Sequence, residues 1–399
     1  MRSKEIDLLI LAGGKGTRIK DLIKSKPKPL VEFNKIPFLQ FLINYYAKFN
    51  FRYIFILAGY RGIQLKNKYH NKEQNFVKIK CFIEKKKLDT GGALSLVRKK
   101  ISENFFVING DTYLEPDIEY ITKKINLKKK IGLITVINSK KNNIKLNNLK
   151  LIKDKITFSN KSTINNSGVY FFNKGLFKYI KKKEISLENE ILPEIINKKK
   201  IIGLKYRKYF IDIGTKNNLF KAKKQLPKLL TRPAAFLDRD GVINYDYGYV
   251  DKIKRFKFKK GIISALKYLT KKNYYIFIVT NQAGIAKKKF SIKSFFILQK
   301  SIKNILAKKN IFINDVEYCP HHLQGKINKY RIKCECRKPK NGMVKKIKDK
   351  WLINHKKSFF IGDKSSDEKC AQKSKLKFFY AEKNLFKQVK KIHYDLSRN

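Results

Sequence analysis

The 399-residue chain reads as an α/β protein of two domains. Three observations predict this. Short apolar runs alternate with helical stretches along the whole length, the pattern of parallel sheets covered on both faces. Two of those runs, IDLLILA at 6–12 and AAFLD at 234–238, open at once onto loops rich in glycine or aspartate. Between them, KKQLPKLLTRP at 223–233 carries two prolines and no strong periodicity. The expected division is a first domain over 1–226, a linker over 227–233 and a second domain over 234–399. No internal repeat is visible, and the two halves open with different motifs.

Composition narrows the class. Hydrophobic residues make up 43% and aromatics 13%, enough to build cores, which excludes a mainly disordered chain. The balance of 93 Lys+Arg against 31 Asp+Glu gives a net charge of +62. A nucleic-acid binder gathers its basic residues on one face or arm. Here the lysines are dispersed throughout, so no specific nucleic-acid partner is expected, although anionic small molecules are attracted. Five cysteines, an odd number, do not read as a disulfide framework. No apolar run has the length of a membrane span. The stretch MRSKEIDLLILAGG is not a signal peptide, because its short apolar part runs into a glycine motif. A cytoplasmic protein without a membrane partner is expected. Oligomeric state is not legible.

In the first half, IDLLILA is a short continuous apolar run, as in a strand buried on both faces. LAGGKGTRIKDLIKSKPKPL (11–30) follows it. Gly13, Gly14 and Gly16 let backbone N–H groups approach a phosphate as an anion nest. Arg18 and Lys28 add fixed positive charge suited to a triphosphate. The spacing is neither that of the dinucleotide fingerprint nor that of a P-loop. Further strand-like runs follow at 53–58, 104–110, 131–137 and 168–172.

The string resembles the signature of the sugar-phosphate nucleotidyltransferases. GYRG (59–62), DTGGAL (89–94), NGD (109–111), NSGVYFF (166–172) and IDIGT (211–215) follow in that family's order, over about the first 225 residues. The resemblance implies a Rossmann-like, GT-A-like domain. It implies Mg²⁺ held by Asp111 and Asp212, and nucleotide contacts from the glycine loop and Gly91. A sugar 1-phosphate oxygen would attack the α-phosphorus of an NTP, pyrophosphate would leave, and Arg18 and Lys28 would neutralise developing charge. The nearest subgroup is the heptose 1-phosphate guanylyltransferases. Asp89 departs from the glycine common before TGG, near the base, so GTP is favoured but the base is the least defined feature.

In the second half, FLDRDGVIN (236–244) sets two aspartates two apart at a strand end, where one carboxylate can attack while the other moves protons. VTNQAG (279–284), RKP (337–339) and GDKSSD (362–367) follow. The set resembles the haloacid-dehalogenase-like phosphatases, with a Rossmannoid fold. By resemblance Asp238 is the nucleophile and forms an aspartyl-phosphate, and Asp240 is the acid and base. Thr280 and Lys338 hold the phosphoryl oxygens, while Asp238, the Asp240 carbonyl and Asp363 bind Mg²⁺. Asn281, Gln282, Arg337 and Lys364 complete the substrate side.

Cys319, His321, Cys334 and Cys336 form C-x-H-x12-C-x-C. Three thiolates and an imidazole make a closed tetrahedral Zn²⁺ site, hence a structural one. His322 is the weaker candidate. A zinc loop here resembles the D-glycero-D-manno-heptose 1,7-bisphosphate 7-phosphatases, with NYDYGYV (244–250), including Asp246 and Tyr249, as the substrate loop. Leu323, Ala283 and Lys288 depart from the usual Pro, small hydroxyl residue and Gly. Together the halves imply removal of the 7-phosphate from a heptose bisphosphate, then nucleotidyl transfer to the 1-phosphate. Heptose phosphates and an NTP are the partners. A uridylyl- or thymidylyltransferase joined to a histidinol-phosphate or other phosphomonoester phosphatase is the alternative.

Overall fold

A computed structural model describes residues 6–23, 25–138, 149–159 and 164–398. Residues 1–5 of the N-terminal stretch lie outside it. Two compact units emerge, one of Met1–Ile43, Phe51–Glu73 and Val77–Gln225, the other of Asn44–Asn50, Gln74–Phe76 and Leu226–Asn399. Part of the expected linker, 227–230, is helical. Residues 216–230 form a single helix, Lys216–Leu230, with Pro227 inside it. Leu219, Ala222, Leu226 and Leu230 are all buried on one stripe at helical spacing, and that burial outweighs the hydrogen bond a mid-helix proline removes.

The first unit is built on a sheet whose central strands are Asn104–Asn109, Asp7–Ala12, Tyr53–Ala58 and Val77–Ile83, all parallel. Buried Asp7 pins the start of this array: its carboxylate accepts from Arg52 Nε at 2.9 Å, Tyr53 N at 3.2 Å and Ser102 N at 2.7 Å. The sheet is not wholly parallel, contrary to the alternation reading. Ile164–Asn173 runs antiparallel to both Asn104–Asn109 and Gly132–Asn138. Between 138 and 164 the described residues hold an antiparallel pair, Leu149–Ile152 with Lys155–Phe158. Leu9, Val107, Tyr170 and Phe172 are among the residues of its core.

The second unit has a five-stranded sheet in the order Asp315–Cys319, Tyr275–Asn281, Ala234–Leu237, Phe359–Gly362, Lys377–Tyr380, every pair parallel. Ile262–Lys271, Ile292–Ala307 and Leu385–Arg398 contribute apolar faces to one core, and Gly342–Lys348 to another. In both sheets the first strand has its sequence neighbours on one side and a later strand on the other. The crevice at the carboxyl ends there is where ligands of open α/β sheets bind. Among the described residues, no helix is long and apolar enough to cross a membrane.

Candidate active sites

In the first unit the crevice lies between Asp7–Ala12 and Asn104–Asn109. A cavity of about 370 Å³ opens there, lined by Gly13, Gly14, Lys15, Lys28 and Asp111, among others. The glycines differ in role. A Cβ at Gly13 would lie 2.7 Å from Glu84 Oε1, whereas one at Gly14 would meet nothing within 4 Å, so Gly14 leaves room for a ligand to reach the backbone. Gly16 has φ of 65°, a left-handed turn into Thr17–Ile19. Gly16, Arg18, Gly91 and Asp212 do not line the cavity. Gly91 is tightly packed: its N–H donates to Ile185 O at 2.9 Å, and a Cβ would sit 2.6 Å from Ile191 Cδ1.

Asp111 and Asp212 are brought together. Ile213 N donates to Asp111 O at 2.9 Å, and Asp212 is in register with Thr112. Lys28 Nζ pairs with Asp111 Oδ2 at 2.8 Å. Burial opposes ionisation of Asp111, but the Lys28 ammonium holds its carboxyl below the usual range. Burial and the Asp111 charge push Asp212 up to about 6. One carboxylate is neutralised and its neighbour is left short of positive charge. Hard oxygen donors in that state suit Mg²⁺.

Asp238 and Asp363 stand just beyond Leu237 and Gly362, the adjacent strand ends of the second sheet. Ligand atoms of Asp238, Asp363 and Asp367 lie within 4.8 Å of one another. Lys338 Nζ, itself buried, bonds Asp238 at 3.0 Å, Asp367 at 2.5 Å and Val279 O at 2.9 Å. Burial works against the ammonium, yet Asp238 and Asp367 raise its pKa. Burial pushes Asp238 up to about 7, against the pull of Lys338 and with the charges of Asp367 and Asp240. Asp238 and Asp367 thus share the Lys338 ammonium, Asp363 has the Lys364 charge nearby, and Asp363 Oδ1 is buried without a hydrogen-bond partner among the described residues. A divalent cation with oxygen ligands fits that deficit.

Asp367 was not singled out in the sequence, although GDKSSD contains it. Its Oδ2 also accepts from Asp363 N and Lys364 N, at 3.2 and 3.1 Å. The Asp240 carboxylate is turned to other partners: Arg239 at 2.8 Å, Asn244 Nδ2 at 2.9 Å and Gln282 Nε2 at 2.9 Å. Burial raises Asp240, but Arg239 and these donors leave it below its ordinary range. Asn281 and Gln282, expected on the substrate, are engaged with the protein. Asn281 clasps the Lys338 backbone with Oδ1 and Nδ2, and Gln282 bridges Asp240 to the Thr280 hydroxyl at 2.8 Å. Asp246 and Lys364 pair with each other at 3.1 Å, and Tyr249 is exposed at the loop tip. Arg239, Asn244, Glu84 and Lys15 were missed in the sequence. The cue for Arg239 was a cation flanked by two acids at a buried strand end.

Cys319, His321, Cys334 and Cys336 converge. Cys336 Sγ lies 3.2 Å from Cys319 Sγ, 3.4 Å from Cys334 Sγ and 3.2 Å from His321 Nδ1. Ligands at Zn–S bonds of about 2.3 Å in a tetrahedron would be roughly 3.8 Å apart, so a modest expansion accommodates the ion. His322 stands outside, its Nδ1 accepting from Gln324 N. Arg337 Nη1 donates to His321 O at 3.3 Å, which ties the cluster to the segment carrying Lys338.

The nucleotidyl transferase family model matches residues 8–228, and the polynucleotide kinase 3 phosphatase model matches 242–395. D-glycero-beta-D-manno-heptose-1,7-bisphosphate 7-phosphatase of Rhodopseudomonas palustris is 43% identical over 141 residues, 35% of this chain and 78% of that protein. The chain belongs to the nucleotidyl transferases in its first half and to the heptose-bisphosphate 7-phosphatases in its second. The Escherichia coli K12 phosphatase of the same name is 42% identical over 139 residues, 35% of this chain and 73% of that protein. The solved structure of HddC from Yersinia pseudotuberculosis has 27% identity over 55% of this chain and 99% of its own, with a TM-score of 0.46. Two departures from the phosphatase and transferase patterns have a structural reading. Asp89 and Lys288, where the resemblance leads one to expect glycine, both have a left-handed backbone, with φ of 60° and 57°. Leu323 is 67% exposed.

Proposed function

We propose that the chain is a bifunctional enzyme of nucleotide-activated heptose synthesis. The observation that carries this is the joining, in one chain, of a heptose-bisphosphate 7-phosphatase half to a nucleotidyl transferase half. Removing the 7-phosphate leaves a sugar 1-phosphate, the class of acceptor the other half requires.

In the phosphatase half, Asp238 Oδ attacks phosphorus and the bond to the sugar oxygen breaks. Asp240 passes to that oxygen the proton carried in on the phosphate monoanion. Water then attacks the aspartyl-phosphate, Asp240 takes its proton, and phosphate leaves from Asp238. Lys338 and Thr280 hold the phosphoryl oxygens, and Arg337, Lys364, Asp246 and Tyr249 face the sugar. Asp238, Asp363, Asp367 and the Asp240 carbonyl would hold Mg²⁺, which lets an anionic nucleophile approach an anionic phosphate. Cys319, His321, Cys334 and Cys336 would hold a structural Zn²⁺ that orders the segment before Lys338.

In the transferase half, Gly13, Gly14 and Gly16 cradle the triphosphate with Lys28 and Arg18, and Asp111 with Asp212 would hold Mg²⁺. The sugar 1-phosphate oxygen attacks the α-phosphorus and pyrophosphate leaves. GTP is the proposed donor.

The test offers the purified chain heptose 1,7-bisphosphate, and separately heptose 1-phosphate with each NTP, and reads products by mass. Release of one phosphate and formation of GDP-heptose are expected. An untouched bisphosphate, or turnover of histidinol phosphate in its place, overturns the first half of the reading. A product with UTP or dTTP but not GTP overturns the base assignment.

A further inference from the structure

The Asp240 carboxylate is clamped from three sides, and one arm of the clamp reaches the substrate loop. Arg239 is fully buried. Its Nη2 donates to Asp240 Oδ1 at 2.9 Å, to Asp240 Oδ2 at 2.8 Å and to Val250 O at 3.0 Å. Its Nε adds a bond to Oδ1 at 3.1 Å, and its guanidinium lies 5.6 Å from the centre of the Phe295 ring. Val250 closes the loop that carries Asp246 and Tyr249, and it too is buried. One nitrogen therefore bridges the acid/base carboxylate and the base of the loop that meets the sugar.

Stability does not account for this pair. A buried ion pair contributes little net stability compared with an apolar replacement, because both charges lose their water. This one is also incompletely satisfied: Arg239 Nη1 is buried without a partner among the described residues. Nor is Arg239 open to solvent to receive a phosphate, since the whole side chain is buried and two of its nitrogens already serve Asp240 and Val250. Its geometry suits a different task, which is to fix where the Asp240 oxygens stand relative to the loop.

We infer that Arg239 is a positioning residue, aligning the Asp240 carboxylate with the leaving oxygen of a substrate seated against the 245–250 loop. Asn244 and Gln282 supply the other two arms. The inference rests on the phosphatase reading above. Its consequence depends on the leaving group. An alkoxide leaves only with a proton from Asp240, whereas p-nitrophenolate leaves without one. Misplacing Asp240 therefore slows the first step for a sugar phosphate and spares it for an aryl phosphate.

The experiment compares kcat/KM for heptose 1,7-bisphosphate and p-nitrophenyl phosphate in the wild type and in Arg239→Lys, with zinc content and melting temperature recorded. Arg239→Lys is expected to lose about 10²-fold on the sugar phosphate, at the low end of what proton transfer contributes, and under about 3-fold on the aryl phosphate. Equal losses on both substrates, or no loss on either, overturn the inference. If Arg239→Lys does not fold, Asn244→Ala removes another arm, and the same two outcomes decide. A wild type inactive on both phosphates instead sinks the phosphatase reading itself.

Discussion

The two active sites occupy the same place in their sheets and treat their carboxylates in opposite ways. In the first unit, a glycine loop and Lys28 dominate, and Asp111 already has its cation at 2.8 Å. In the second, Asp238, Asp363 and Asp367 crowd together, and Asp238 and Asp367 share the ammonium of Lys338. The difference follows from what each must bind. A triphosphate brings much negative charge and needs a site that is basic and open to the backbone. A protein nucleophile must itself be anionic, so its site collects carboxylates and relies on a cation to let phosphate in.

Four outcomes would break or sharpen that contrast. The largest is Asp238→Asn, which removes the proposed nucleophile. Phosphate release should fall to background while nucleotidyl transfer in the same preparation is unchanged; loss of both would show that the sites are not separate. Next is Asp111→Asn. Transfer kcat should fall by roughly 10² or more, with a smaller change in nucleotide Kd, because the glycine loop and Lys28 still hold the triphosphate. Rapid-quench and equilibrium titration separate the two quantities.

The third outcome concerns the metal cluster. Structural zinc sites have apparent binding energies of about 10–16 kcal/mol, so protein prepared without chelator should carry one zinc per chain. Cys334→Ser should lose that metal and lower phosphatase activity and the melting temperature of the second unit, with transfer retained. Zinc found at full occupancy in Cys334→Ser would remove Cys334 from the site.

The smallest effect tests the two left-handed positions. An L-residue in that region costs roughly 1–2 kcal/mol, partly offset by the entropy glycine loses on folding, about 0.5–1 kcal/mol. Lys288→Gly should therefore stabilise the second unit by up to about 1 kcal/mol, a rise of roughly 2–4 °C in melting temperature. Asp89→Gly should gain less. Aspartate tolerates this conformation, and Asp89 Oδ1 accepts from Thr90 N at 2.7 Å, a bond glycine would lose. Equal gains at the two positions would contradict that reading.

The sequence by itself indicated the α/β class and the two enzyme families, and its motifs point to the residues proposed for both sites and to the four soft ligands. Each of these is written in local order. A strand end projects its next residue into the crevice, and resemblance of NGD and FLDRDG to two family signatures is what singles out Asp111, Asp238 and Asp240. Tertiary structure decided the rest. It turned Ile164–Asn173 antiparallel, because the return of the chain depends on what lies between strands. It carried the Lys216–Leu230 helix through Pro227, because a buried stripe outweighs one lost hydrogen bond. It packed Gly91 against residues almost a hundred positions away. It brought Asp367 beside Asp238 and set Arg239 between Asp240 and Val250. Side-chain partners of that kind are chosen by packing and charge across the fold, and no spacing along the chain encodes them.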